Sequence, residues 1–195
     1  LIGIDAAEWT VINPMIKEGK LPTFKKLIDS GYSGGLKTVR PISSPVVWTT
    51  IATGLSPQKH NITGYINDMD IVHISSRGAP AIWDILSYYK KTVGVISWLT
   101  FWPAEKVNGV SVVDYLYMVP RQGKPQIEMA VYPDKYNAEV YKQLIAPNQL
   151  TDSQLSRFIQ QPPNRSMEAL VKQYPRQFDE LRWAYAQDES VTKCS

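Results

Sequence analysis

The residue pattern of this 195-residue chain predicts an α/β fold, a mostly parallel sheet with helices on both faces. Three observations carry that expectation. Short apolar runs alternate with stretches of helical spacing from Leu1 to Val113, as they do where parallel strands are joined by right-handed crossovers. The runs Leu1-Ile2-Gly3-Ile4, Thr92 to Ser97 and Val110 to Val113 are nearly continuous rather than alternating, as strands buried on both faces are. From Lys135 onward the pattern is helical only, which reads as a helical insertion over about 135–191.

Taken in order, a strand over 1–5 ends at Asp5, which begins a polar turn. Helices follow at about 11–18 and 22–30, the second opening on Pro22 and closing at Gly31. A strand near 34–39 leads to Pro41-Ile42-Ser43-Ser44-Pro45, and the stretch after it is helical until Gly54 stops it. Ile71 to Ile74 is a short strand, Pro80 to Tyr89 a helix, and 92–97 and 110–113 are buried strands. The late helices fall at 135–145, 151–160 and 166–191, broken by Pro147 and Pro162-Pro163, with Pro175 expected to break or kink the last.

Two positions have chemical promise. Asp5 stands at the carboxyl end of the first strand, the edge where open α/β sheets bind ligands. Pro45 suits the first helical position, because its missing N–H needs no partner there and its φ is already helical, and this makes Ser44 the N-cap. A hydroxyl there lies beside free backbone N–H groups and the positive helix end, a setting for an anionic oxygen or a phosphate. Taken alone, each residue also has an ordinary structural reading, Ser44 as a cap contributing about 1 kcal/mol and Asp5 as a turn former.

The segments GIDAAEW (3–9), GKLPTFKKLIDSGYSGGL (19–36), SSPVVWTTIATGLSPQKHNI (43–62) and WLTFWPAEKVNGVSVVDYL (98–116) change that balance. Together they resemble, in the family's order over roughly the first 120 residues, the type I phosphodiesterase and nucleotide pyrophosphatase family of the alkaline phosphatase superfamily. The resemblance implies that residues 1–195 are the N-terminal portion of one alkaline phosphatase-like catalytic domain. It implies a metal-dependent hydrolase of phosphate esters, a phosphodiesterase or pyrophosphatase with a covalent phosphoseryl intermediate. Asp5 is then a metal ligand and Ser44 both nucleophile and metal contact, with Ser43 the adjacent competitor. Phosphomonoesterases, sulfatases and phosphoglycerol transferases share the superfamily, and a non-catalytic anion-binding or interaction module is the reading from a different class.

The chain departs from the family pattern in places. Ala6 stands where Gly usually follows the metal-binding Asp, a mild change in size. Val47 replaces the Asn that in nucleotide pyrophosphatases holds a phosphate oxygen three residues after the nucleophile. Asn61 replaces the Gly of His-Gly-Ile, and Asn tolerates the left-handed backbone such a turn needs. The implied cofactor is two divalent metal ions, zinc by resemblance, yet catalytic zinc takes about three protein ligands. The family's Asp-x-x-x-His, Asp-His and final His motifs are missing, and the only histidines, His60 and His73, fit neither pattern. The remaining ligands are expected downstream in a larger protein, the opening strand reading as clipped, and this segment alone is expected to be inactive.

Trp98-Leu99-Thr100-Phe101-Trp102-Pro103 follows a strand and is expected over the same edge as Asp5 and Ser44. Trp98, Thr100 and Trp102 are thus candidates for a substrate wall, against the alternative that the indoles close the core. His60 reads as a helix-end or turn residue and His73 as structural. Asn61-Ile62-Thr63 and Asn164-Arg165-Ser166 match the glycosylation acceptor pattern, which matters only in a eukaryotic secretory setting.

Composition fits a globular enzyme, and the resemblance implies a small-molecule phosphate ester as its partner. With 44% hydrophobic and 20% charged residues the chain can bury a sizeable core. A net charge of +3, spread apart from Lys25-Lys26 and Lys90-Lys91, does not indicate nucleic-acid binding. No apolar run approaches the roughly 18 residues of a membrane span. The single cysteine, Cys194, excludes an internal disulfide framework. Localisation is open in the sequence; the resemblance points to an extracytoplasmic or periplasmic setting.

Overall fold

The computed structural model describes residues 1–67, 70–71, 74–114, 129–159 and 161–194. Helices α1 (Trp9–Lys17), α2 (Pro22–Ser30), α3 (Ser44–Thr53) and α4 (Pro57–His60) come first, followed by a short antiparallel pair, β1 (Ile66–Asn67) and β2 (Asp70–Ile71). Next are α5 (Ile82–Tyr88), β3 (Val93–Trp98), β4 (Gly109–Val113) and β5 (Val131–Tyr132). The chain closes with α6 (Asn137–Gln143), α7 (Asp152–Leu155), α8 (Met167–Gln173) and α9 (Pro175–Cys194).

Among the described residues helices dominate, and the sheet is smaller and more mixed than expected. Its order is β3-β4-β5, with β3 parallel to β4 and β4 antiparallel to β5. The segments expected as strands at 1–5 and 34–39 are not strands in the structure. Leu1, Ile2 and Leu36 are each more than four-fifths exposed. An apolar run makes a buried strand only when neighbouring strands take up its N–H and C=O groups. Among the described residues these two segments have none. Of the expected strand 71–74, Ile71 belongs to β2 and Ile74 opens a 3-10 turn; residues 72–73, and with them His73, lie outside the described residues.

The helix expectations hold with small shifts at the ends. Gly54 closes α3 in the left-handed conformation at φ 68°, as a C-terminal glycine does. Asn61 closes α4 the same way at φ 63°, so the substitution of Asn for Gly keeps the turn. Thr151 and Gln154 form a reciprocal capping box on α7, and the Ser166 hydroxyl accepts the Ala169 N–H at the start of α8. Pro175 opens α9 rather than kinking a longer helix, since proline is favoured at the first helical position.

The main core lies on the three-stranded sheet. Val95, Val112, Val113 and Val131 meet Trp83 of α5, Val140 of α6 and Ala186 of α9. The β3–β4 connection is a loop rather than a helix, and it buries Phe101, Glu105 and Val107 in that core. A second, smaller core joins Leu155, Leu170 and Phe178 of α7, α8 and α9. Helix α9 serves both, and Ser190 on it accepts the Ile145 N–H at 2.8 Å, tying the late helices to the sheet.

Candidate active site

Helix α3 sets the geometry. Its first intrahelical bond runs from the Val47 N–H to the Ser43 carbonyl, 3.0 Å. Ser43 is therefore the N-cap, extended at φ −148°, with Ser44 and Pro45 as the first two helical residues. This corrects the expectation that Ser44 is the cap: Pro45 occupies the second helical position, equally free of an intrahelical N–H requirement. Neither serine side chain caps the helix, so the Ser44 hydroxyl is available for other partners. Pro45, Val46, Thr49 and Ala52 face the core, whereas Ser44 and Trp48, four residues apart, share another face.

That face receives the amino-terminal segment. A Cβ at Gly3 would stand 2.3 Å from the Trp48 ring, closer than any side chain tolerates, so only glycine lets the backbone lie on the indole. Two residues on, the Ser44 hydroxyl donates to Asp5 Oδ2 at 3.5 Å, a long contact bridging 39 residues of sequence. The other carboxylate oxygen, Oδ1, accepts the Ala6 N–H at 3.0 Å. Ala6 adopts φ 54°, a left-handed conformation that costs a residue with a Cβ about 1–2 kcal/mol. The change from Gly is thus mild in size but carries backbone strain. Asp5 is exposed and Ser44 half-buried, so a solute can reach both.

The 98–103 segment packs behind α3. The Trp98 indole N–H donates to the Trp48 carbonyl at 3.2 Å, and its ring meets Trp48 and Trp83 edge-on at 4.9 and 5.6 Å. Thr100, buried and at φ 67°, donates its N–H to Asp114 Oδ2 at 3.1 Å. Its hydroxyl lies 3.2 Å from that of Thr49. Trp102 is half-buried against the main core, and its carbonyl accepts the Ile74 N–H at 2.8 Å. These contacts hold α3 and close the core.

His60 ends α4 and is fully buried. Its Nδ1 accepts the Ile62 N–H at 3.1 Å, which leaves Nε2 protonated and donating to the Thr50 hydroxyl at 3.0 Å. Burial pulls its pKa below the usual 6.5, with a backbone hydrogen bond partly opposing. The expected helix-end position is correct, but the side chain is a neutral strut rather than a partner of the helix dipole.

Several supporting residues escape sequence reasoning. Gly3 and Trp48 seat the first segment, and Thr49 joins α3 to Thr100. Arg77, in a segment with no periodicity, donates to both oxygens of Glu105 at 2.8 Å and to Asp84 at 2.7 Å. The Trp83 N–H also reaches Glu105, at 3.1 Å. From Trp83 the edge contacts run through Trp98 to Trp48, so this buried ion network supports the helix that carries Ser44. A buried carboxylate 28 residues along the chain from its arginine has no sequence signal beyond its charge.

Asp5 and Ser44 are oxygen donors of the kind a hard or borderline divalent cation accepts. Two donors fall short of the three that a catalytic zinc normally takes from protein. Among the described residues no cluster of three or more His, Cys, Asp or Glu side chains is poised for a metal. These residues fit a metal only as part of a ligand set.

The start of α3 thus brings a helix-borne hydroxyl and a carboxylate from the amino-terminal segment to one accessible point. The chain belongs to the type I phosphodiesterase / nucleotide pyrophosphatase family, whose model matches residues 1–189. The match extends beyond the first 116 residues that carry the quoted motifs and takes in most of the late helices. No curated protein and no solved structure matches the chain. Members of this family are hydrolases of the phosphodiesterase and pyrophosphatase type and are generally metal-dependent. Among the described residues no helix is long and apolar enough to cross a membrane.

Proposed function

We propose that Ser44 and Asp5 belong to the reaction centre of a phosphodiesterase or pyrophosphatase that acts on small-molecule phosphate esters through a covalent phosphoseryl intermediate. The observation that carries the reading is their apposition at 3.5 Å at the start of α3. On this reading residues 1–195 contribute to one alkaline phosphatase-like catalytic domain. Ser44 Oγ attacks phosphorus, the bond from phosphorus to the leaving oxygen breaks, and the alcohol departs with a proton. Water then cleaves the new ester, releasing the phosphate product and restoring the hydroxyl. First-turn N–H groups of α3 without intrahelical acceptors face the charge that builds on the phosphoryl oxygens. Two divalent ions, zinc on this reading, supply Lewis acidity when bound. Asp5 and Ser44 are two of their donors, and the others come from outside the described residues. Val47, three residues after Ser44, sets an aliphatic side chain beside the nucleophile where an amide would hold a phosphate oxygen, so the substrate need not be a nucleotide.

The test is turnover of an aryl phosphodiester by the complete natural protein supplied with zinc. Ser44→Ala should lose at least a thousand-fold in kcat, on the order expected for removing a nucleophile. Its stability should stay within about 0.5 kcal/mol, because no cap is lost. Acid quenching during turnover, followed by mass spectrometry, should find phosphate on the peptide containing Ser44. Turnover retained in folded Ser44→Ala, or phosphate on Ser43 instead, refutes the assignment. Binding of the ester with no turnover by the zinc-supplied protein would identify a non-catalytic anion-binding module.

A further inference from the structure

The second core opens into a cavity of about 340 Å³ between Ile159, Pro162 and Arg165 on one side and α8 and the first half of α9 on the other. Its size lies within the range of small-molecule sites, about 300–1,000 Å³. Leu170 and Phe178, 6% and 5% exposed, form its floor. Ile159 and Leu181 line the sides, and Tyr174 and Arg165 stand at the rim. The lining is chiefly apolar, so the cavity favours an apolar occupant over water.

The charge pattern around it is selective. Arg157 pairs with Glu189, Arg176 with Glu180, and Arg182 with Asp152 and Asp179. Arg165 donates to the neutral amide oxygen of Gln173 and, among the described residues, has no carboxylate within ion-pair distance. A guanidinium at the mouth of an apolar cavity offers a planar fork suited to a carboxylate or phosphate. We propose that this cavity binds a small amphiphile, its apolar tail or ring against Leu170 and Phe178 and its single anionic head on Arg165. The site is separate from Asp5 and Ser44, and the inference does not rest on the phosphate-ester reading.

Calorimetric titration with decanoate, decanol and acetate, each below any micelle threshold, tests it. Decanoate should bind saturably at one site, decanol about tenfold or more weaker for want of a charge-assisted bond, and acetate not measurably. Arg165→Gln, at an exposed position that leaves the core intact, should bring decanoate to the level of decanol. Leu181→Trp, which fills the cavity, should remove both. A parallel titration with decyl phosphate separates a phosphate head from a carboxylate head, either being an anionic amphiphile. Equal binding of decanoate and decanol, unchanged decanoate binding in Arg165→Gln, or no saturable binding at all would overturn the proposal. If Leu181→Trp fails to fold by circular dichroism, the Arg165→Gln comparison decides it alone.

Discussion

Replacing Arg77 by Met tests whether the buried ion network supports the molecule. The Arg77 side chain is 11% exposed and that of Glu105 10%. Arg77 also donates Nε to the Ala79 carbonyl at 2.9 Å and lies 5.5 Å over the Trp83 ring. Burial alone would lower its pKa, yet Glu105 and Asp84 outweigh that and hold it above the ordinary value. Without the guanidinium, Glu105 keeps the Trp83 N–H and Asp84 keeps the Ala81 N–H, but the two buried charges lose their cation. Breaking a buried pair from one side costs about 3–5 kcal/mol, which for a chain of this size lowers Tm by on the order of 10 °C. The double variant Arg77→Met/Glu105→Gln removes the more buried of the two stranded charges and should recover part of that loss. Burial already pushes the Asp84 carboxyl above its usual 3.8, and the Glu105 charge adds to this. Losing Arg77 pushes it further, so the folded variant favours the protonated carboxyl, and the deficit should shrink as pH falls through the range just above 3.8. Urea unfolding of the wild type, Arg77→Met, Glu105→Gln and the double variant across pH gives these values. A single-variant loss under about 1 kcal/mol, or a double variant as unstable as the sum of the singles, would refute the reasoning.

Gly3→Ala should move the first segment off Trp48, because the added methyl has no room beside the indole. Asp5 then separates from Ser44. On the proposed function, the complete protein loses aryl phosphodiesterase kcat by about tenfold or more while its Tm barely changes, since Gly3 itself is exposed; wild-type turnover in this variant would show that the contact does not matter. His60 gives a pH signature. Its folded pKa lies below the unfolded 6.5, so the unfolded chain binds more protons between the two values. The contribution is fully present above about 6.5 and is lost as pH falls through the folded value. His60→Gln should flatten the unfolding free energy over that acidic window, with His73 unchanged in both proteins. Equal slopes would contradict a buried neutral imidazole.

Local signals in the chain determined the helices and their ends. Pro22 and Pro175 open helices because proline is already shaped for the first turn, and Gly54 and Asn61 end them because they accept left-handed backbone. The apolar runs at 93–98 and 109–113 became strands because each found the other. The motif register singled out Asp5 and Ser44 as residues, and in the structure they meet. Tertiary structure decided what no local pattern encodes. Leu1 to Ile4 is as apolar as a true strand, but pairing is a property of neighbours, and without neighbours the backbone turns to water. The cap moved from Ser44 to Ser43 because one hydrogen bond, from Val47 to Ser43, sets the first turn. Trp98 was legible as aromatic, yet only packing decided that its edge would face Trp48 and Trp83. The partners of Arg77 were equally hidden, since a buried charge is specified by which carboxylates three-dimensional folding brings within about 3 Å, and charge along a chain carries no such distances.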